Sequence, residues 1–190
     1  MIKHDVIGLY VTLSGPKRID FLISHYPDFD KYIASYKEYV KDTMLDILSS
    51  NRSSATELGV RVQTSGGNQD TTFSLAEGRL AIDKCFDTVR ASRKMFPDAD
   101  DYELVSMGLY EWERLQREFS KLNATINMIL NEEEQKIIKA YFRHDKRLHD
   151  LAQDLCIEME SANKRVYRIR KKLVNSIGPW FEENTIKASA

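Results

Sequence analysis

The amino-acid sequence predicts an all-α fold, and three observations lead to that prediction. In the N-terminal part, apolar residues recur at spacings of three and four, which places them along one side of a helix. Farther along, apolar residues recur every seven positions, as in helices that pack against each other. Near the C-terminus, a long helical pattern has one apolar side and one basic side. The chain has 190 residues and is 42% apolar, which is enough for a sizeable core.

Residues 1–50 are predicted to form an N-terminal arm and helices. The segment from Met1 to Gly15 is ambiguous, and a short strand and a loosely docked arm are both open. A short helix is predicted from Pro16 to Tyr26, where Pro27 interrupts it. Asp28 or Asp30 then caps a second helix. Its apolar stripe consists of Ile33, Tyr36, Val40, Met44 and Ile47.

Residues 51–71 are predicted to form a flexible loop. This stretch is rich in Ser, Thr, Gly and Asn and shows little apolar periodicity. Loops of this length without secondary structure are uncommon within a domain. The sequence therefore indicates a functional or disordered segment rather than a tight connection between helices.

Residues 72–130 are predicted to form a long helical hairpin. Its first helix carries apolar residues seven apart, namely Leu75, Ile82, Val89 and Phe96. Pro97 and the acids after it mark the start of the second helix. The second helix has an a/d seam interrupted by Gly108, with Val105, Trp112, Leu115, Phe119, Leu122, Ile126 and Ile129. Two arrangements stay open: the seams pack together inside one chain, which is favoured, or part of the 104–130 helix forms a homodimer.

Residues 131–185 are predicted to form a helix-turn-helix DNA-binding domain. Asn131 can cap a helix from Glu132 to about Phe142, with three glutamates in the first turn, where the helix dipole favours anions. A basic connection follows, then a short helix from Leu148 to Leu155, a three-residue turn and a long helix that begins near Met159. A short helix joined by a three-residue turn to a basic helix is typical of the helix-turn-helix.

The last helix separates its apolar and polar residues cleanly. At about 100° per residue, Ala162, Val166, Ile169 and Leu173 share one side. Six of the nine residues from Lys164 to Lys172 are basic and none is acidic, which suits a nucleic acid. We expect contacts with base edges from Ser161, Asn163, Lys164, Tyr167 and Arg168. Contacts with phosphates are expected from Arg143, Lys146, Arg147, Arg165, Lys171 and Lys172.

The run from Asp150 to Ala162 (Asp-Leu-Ala-Gln-Asp-Leu-Cys-Ile-Glu-Met-Glu-Ser-Ala) resembles region four of bacterial sigma factors, and the basic helix through Leu173 follows in register. Two residues depart from that family's pattern. Cys156 stands where the family usually has Gly, and Glu158 where it usually has a capping Ser. A Cys in a left-handed turn costs about 1 kcal/mol, so we expect a turn of slightly different shape.

The upstream layout resembles the RinA/ArpU-like phage late-gene transcriptional regulators. Those proteins have N-terminal helices, a Ser/Gly-rich loop that ends near an Asp-Thr pair, a long helical hairpin and the same kind of C-terminal module. Here the loop ends at Asp70 and Thr71. The resemblance implies a prophage-encoded activator of late genes that binds promoter DNA in the bacterial cytoplasm or nucleoid.

No catalytic, cofactor-binding or metal-binding pattern was found in the sequence. It has no P-loop, no HExxH motif and no paired CxxC motif. His144 and His149 fall on different sides of any helix, and the acids that follow Asp98 read as a helix start. Cys85 and Cys156 are predicted to be small core residues. No apolar run reaches membrane-spanning length. The sequence therefore predicts a protein that is not an enzyme, has no cofactor and is not in a membrane.

Two functions from different classes follow. The favoured one is a sequence-specific transcriptional regulator that binds double-stranded DNA. A variant of it acts mainly by contacting RNA polymerase through its acidic N-terminal part. The alternative is a small terminase subunit or another phage DNA-packaging component, which also joins a helix-turn-helix to oligomerisation helices. A large ring of chains would indicate packaging, and a monomer or dimer would indicate the regulator.

Overall fold

The computed structural model describes residues 4–57, 71–142 and 147–188, and every regular element within those ranges is an α-helix. This confirms the predicted all-α fold class. The described helices are, in chain order, α1 (His4–Thr12), α2 (Gly15–Ser24), α3 (Phe29–Glu57), α4 (Thr71–Thr88), α5 (Ala99–Ile129), α6 (Glu132–Phe142), α7 (Leu148–Asp154) and α8 (Met159–Ala188).

The helices belong to two compact units. The first unit combines Met1–Ile33 with Leu115–Ala190, and the second unit is Ala34–Arg114. The boundaries between the units fall inside α3 and α5. The first unit therefore contains α6, α7 and α8 together with α1 and α2. The domain boundaries that we placed at residues 72 and 131 stay a prediction, whereas α3 continues past the boundary placed at residue 51.

A buried ion pair within an aromatic core holds the first unit together. Arg18 of α2 donates from Nη1 to Glu118 Oε1 of α5 at 2.8 Å, and their side chains are 5% and 2% exposed. Tyr10 of α1 donates its hydroxyl hydrogen to the same carboxylate. Tyr10 also packs against Phe29, which contacts Phe119 of α5, with ring centroids 5.4 and 5.2 Å apart. These contacts join α1 and α2 to the second half of α5.

α1 replaces the strand or loosely docked arm that the sequence left open before Gly15. Ile7 and Tyr10 lie three residues apart, so a helix brings both to one side, and both are buried. A strand would have turned these two side chains to opposite faces. Burial on one side therefore outweighs the strand propensity of this apolar segment.

In the second unit, α5 contacts both α4 and α3. Phe86 of α4 meets Trp112 of α5 edge to face, with ring centroids 4.9 Å apart. Gly108 of α5 lies against Val40 of α3, and a Cβ atom on residue 108 would come within 3.1 Å of a Val40 methyl group. The glycine that interrupts the seam therefore permits a close approach of α3 and α5.

The seam of α5 is buried within a single chain. Its buried residues are Val105, Trp112, Leu115, Phe119, Leu122 and Ile126, while Ile129 is half-buried. Since these side chains already have neighbours in their own chain, a homodimer through residues 104–130 would need other side chains of α5. Such a dimer stays a prediction.

The loop predicted over residues 51–71 was placed too early. α3 continues to Glu57, and α4 begins at Thr71, so only residues 58–70 lie between the two helices. That stretch is outside the described residues. Extending an existing helix costs far less free energy than starting one, so a polar segment without apolar periodicity can still continue α3.

The helix predicted through Val89 and Phe96 ends earlier. α4 stops at Thr88, and Val89 has a φ of 50°. The N–H of Arg90 donates to the Cys85 carbonyl at 3.1 Å, and the N–H of Val89 donates to the Phe86 carbonyl at 3.3 Å. This is a Schellman turn with valine in the left-handed position. Phe96 is nevertheless buried, in the connection that leads to α5.

Candidate nucleic-acid interface

α6 provides an acidic edge beside the candidate interface. Asn131 accepts a hydrogen bond at Oδ1 from the N–H of Glu134 at 2.8 Å, and Glu134 Oε2 accepts one from the N–H of Asn131 at 3.1 Å. This reciprocal cap confirms the helix start predicted at Asn131. Ile137 and Ile138 are buried, whereas Glu133 is exposed. α6 is therefore docked by its apolar side, with carboxylates of its first turn reaching solvent.

α7 is the short helix that the sequence predicted before the turn. Its first residue follows Arg147, whose N–H donates to Asp150 Oδ2 at 3.2 Å. Leu151 and Ala152 of α7 are buried, and the helix ends at Asp154. The buried pair docks α7, and α6 and α8 both pack against it.

The turn between α7 and α8 contains the left-handed residue that the resemblance to sigma factors implied. Cys156 has a φ of 52°. The N–H of Ile157 donates to the Ala152 carbonyl and the N–H of Cys156 donates to the Gln153 carbonyl, both at 3.0 Å, which completes a Schellman turn. Cys156 is exposed, so its assignment to the core was wrong. The turn places its side chain outward.

Cys85 is the cysteine that does belong to the core. Its side chain is 4% exposed within α4. Burial raises the pKa of its thiol, which keeps the sulfur protonated and unreactive at neutral pH. This confirms the prediction of a small core residue at position 85.

α8 is docked by one continuous apolar stripe. Ala162, Val166, Ile169 and Leu173 are all buried, as predicted, and the stripe continues through Ile177 and Phe181. Three helices of the same unit pack against α8, namely α2, α6 and α7. α2 also holds α8 by charge, because Asp20 Oδ1 accepts hydrogen bonds from Arg170 at 2.7 Å (Nη2) and 3.2 Å (Nε).

Eight of the predicted contact residues on α8 are exposed, either opposite the apolar stripe or along its margins. Tyr167 is the clearest case, since 63% of this large aromatic residue is exposed. The other seven predicted contact residues on α8 are exposed as well, namely Ser161, Asn163, Lys164, Arg165, Arg168, Lys171 and Lys172. Arg147 is exposed at the start of α7. Arg143 and Lys146 lie outside the described residues.

Two cations of this exposed side are paired with the acidic turn of α6. Arg165 Nη1 lies 3.0 Å from Glu133 Oε1, and Lys172 Nζ lies 3.2 Å from Glu134 Oε2. The partners are 32 and 38 residues apart in the chain. No local sequence pattern links these partners, because only the packing of α6 on α8 brings them together.

The remaining cations of the exposed side differ in their surroundings. Lys164 Nζ lies 2.6 Å from Glu160 Oε1, one turn earlier in α8. Within the described part of the chain, Arg168 and Lys171 form no ion pair. These two cations can therefore reach a phosphate or a base edge without breaking an existing pair with a described carboxylate.

The cleft beside this surface has mixed charge. A shallow cleft of about 240 Å³ between α6 and α8 is lined by both carboxylates and guanidinium groups, whose charges offset each other. Among the residues that the structure describes, no three His, Cys, Asp or Glu side chains are grouped so that they could hold a metal ion. No helix in the described ranges combines the length and apolarity needed to cross a membrane.

The chain matches no protein-family model, no curated protein and no solved structure. The resemblances to sigma region four and to phage late-gene regulators therefore stay predictions based on the residues quoted above.

Proposed function

We propose that this protein is a sequence-specific transcriptional regulator that reads double-stranded DNA with the exposed side of α8. One observation carries the proposal: a buried apolar stripe docks α8, while its other side presents cations, an aromatic ring and hydrogen-bonding groups to solvent. A helix that enters the major groove needs this division, with one side bound to its own domain and the other facing the base edges.

The residues on this side of α8 would have two roles. Arg168 can donate two hydrogen bonds to a guanine, and Asn163 can pair with an adenine in the same manner. Tyr167 adds an exposed ring and a hydroxyl group beside them. Lys171 and Arg147 would bind phosphates, which fix the orientation of the protein on the duplex but carry no sequence information.

Two single substitutions separate these roles. Arg168→Ala should cost about 1–3 kcal/mol of binding free energy at one base position and leave the other positions unchanged. Lys171→Ala should weaken binding to every duplex alike and reduce the slope of log affinity against log salt by about one. The measurement is fluorescence anisotropy with duplexes that are first selected from a random pool and then varied one base pair at a time.

The matched control removes an exposed cation elsewhere. Lys94→Ala changes an exposed lysine of the second unit and should leave both the affinity and the salt slope unchanged. If the wild-type protein bound all duplexes with equal affinity, α8 would not be reading bases, and the proposed function would be wrong.

The finer proposal concerns the target genes. The resemblance to phage late-gene regulators supports an activator of phage or prophage late genes in the bacterial nucleoid. The resemblance to sigma region four supports RNA polymerase as a second partner. Mapping of bound genomic DNA at near-physiological salt tests this, with peaks expected upstream of late genes. Bound fragments distributed without regard to promoters would contradict it.

A further inference from the structure

The first turn of α6 places two carboxylates against cations of the proposed DNA-binding surface of α8. Glu133 is exposed and contacts Arg165 at 3.0 Å, and Glu134 contacts Lys172 at 3.2 Å. The four side chains are 27–66% exposed, so water and salt reach both pairs. Exposed pairs of this kind typically add about 0–1 kcal/mol to the stability of a fold. Their main effect is therefore not expected on folding.

The same pairs should affect the affinity for a polyanion more than they affect the stability of the fold. A phosphate that approaches Arg165 or Lys172 has to share the cation with a carboxylate of α6 or displace it. The carboxylate also repels the phosphate directly, since both are negatively charged. Because sequence-independent DNA affinity comes from phosphate neutralisation, each cation held in this way contributes less to that affinity.

We propose that Glu133 and Glu134 limit the sequence-independent affinity for DNA by holding Arg165 and Lys172. This inference rests on the proposed function, and it assigns that function a specificity-determining element outside α8. Arg168 and Lys171 form no ion pair among the described residues, so no described carboxylate weakens their contacts with DNA. Binding then depends more on base contacts than the basic run of α8 alone would indicate.

Glu133 is the cleaner residue for a test. Glu134 also closes the cap of α6 with Asn131, so its replacement would disturb both the helix start and the ion pair. Glu133→Gln removes the charge and leaves that cap intact. Glu132 lies in the same turn and is exposed, and within the described residues it forms no ion pair. Glu132→Gln is therefore the matched control for a change in net charge alone.

The experiment measures the affinity of the full-length variants for a duplex of random sequence at salt concentrations from about 50 to 200 mM. Glu133→Gln should bind about three- to tenfold more tightly than wild type at the low-salt end. The slope of log affinity against log salt should become steeper by about 0.9, which corresponds to one additional phosphate contact. Glu132→Gln should change both quantities much less.

Arg165→Gln, made alone and together with Glu133→Gln, tests whether Glu133 acts through Arg165. Arg165→Gln should reduce affinity only slightly in the wild-type background but should abolish most of the gain in the Glu133→Gln background. Unchanged or weaker binding by Glu133→Gln, or equal gains from Glu132→Gln, would overturn this inference alone. If the wild-type protein bound no duplex at all, the proposed function itself would fall, and this inference with it.

Discussion

Replacing Glu118 by alanine removes the carboxylate that receives both Arg18 and Tyr10 inside the first unit. The side chain of Arg18 is 5% exposed, and Tyr10 has no exposed surface. Neither group can reach water without movement of α1 or α2. The guanidinium charge would therefore remain buried without the carboxylate that now offsets it.

The size of the expected loss follows from this burial. Removing one partner of a buried ion pair costs about 3–5 kcal/mol, because the other charge stays desolvated. The lost acceptor of the Tyr10 hydroxyl is worth about 1–3 kcal/mol in isolation. The two effects share one carboxylate and do not add. We therefore expect Glu118→Ala to lower the free energy of unfolding by about 4 kcal/mol, a large part of the 5–15 kcal/mol that is typical of a domain.

Urea unfolding followed by far-ultraviolet circular dichroism measures this loss. The double variant Arg18→Met/Glu118→Leu replaces the pair with apolar side chains, so it should recover most of the stability that Glu118→Ala loses. Glu118→Gln keeps one acceptor oxygen and gives an intermediate value if the alanine variant does not fold. A loss below about 1 kcal/mol for Glu118→Ala would refute the reasoning, because the carboxylate would then not be offsetting a buried charge.

Three further substitutions test other features. Cys156→Gly should raise the free energy of unfolding by about 0.5–1 kcal/mol, because glycine adopts a φ of 52° without strain and the exposed thiol buries nothing; a lower urea midpoint would contradict this. Gly108→Leu should lower the free energy of unfolding by about 1–3 kcal/mol, since even a Cβ atom would come within 3.1 Å of Val40. An unchanged thermal midpoint would count against the close approach of α3 and α5. The hydrogen bond from Lys41 lowers the pKa of Asp83 below its ordinary value of 3.8. The ionised Asp83 carboxylate therefore stabilises the fold above about pH 4, and this stabilisation is lost as the pH falls through the folded-state pKa of Asp83. Wild type should lose more stability than Asp83→Asn between about pH 5 and pH 2, and parallel pH profiles would show that the Lys41 pair has no such effect.

Features that depend on neighbouring residues could be predicted from the sequence. The start of α6 was marked by Asn131 and the three glutamates after it, and the start of α5 by the acids after Pro97. Both starts are capped in the structure, the second by Asp98 Oδ1, which accepts hydrogen bonds from the N–H groups of Asp100 and Asp101 at 2.9 and 3.1 Å. The spacing within α8 likewise identified its buried side. Such signals extend over one or two turns, so the sequence contains them in full.

Features that depend on distant residues could not be predicted. Arg18 and Glu118 are 100 residues apart, and Asp20 and Arg170 are 150 residues apart. No local pattern connects such partners. The end of α4 was missed for a different reason: Val89 continues a seven-residue apolar pattern, and a β-branched residue with positive φ is rare enough that the pattern favoured more helix. At Cys156 the same conformation was expected only because the resemblance places a glycine there.

The packing of α2 on α8 has a consequence for modularity. The guanidinium carbon of Arg18 lies 5.6 Å from the centre of the Phe181 ring, and Asp20 is paired with Arg170 earlier in α8. A segment excised at residue 131 would leave Phe181 and its neighbours stripped of the helix that shields them. We therefore expect α6, α7 and α8 to be less stable when they are separated from α2 than in the whole chain. Substitutions that destabilise the N-terminal helices should therefore also disturb the exposed side of α8.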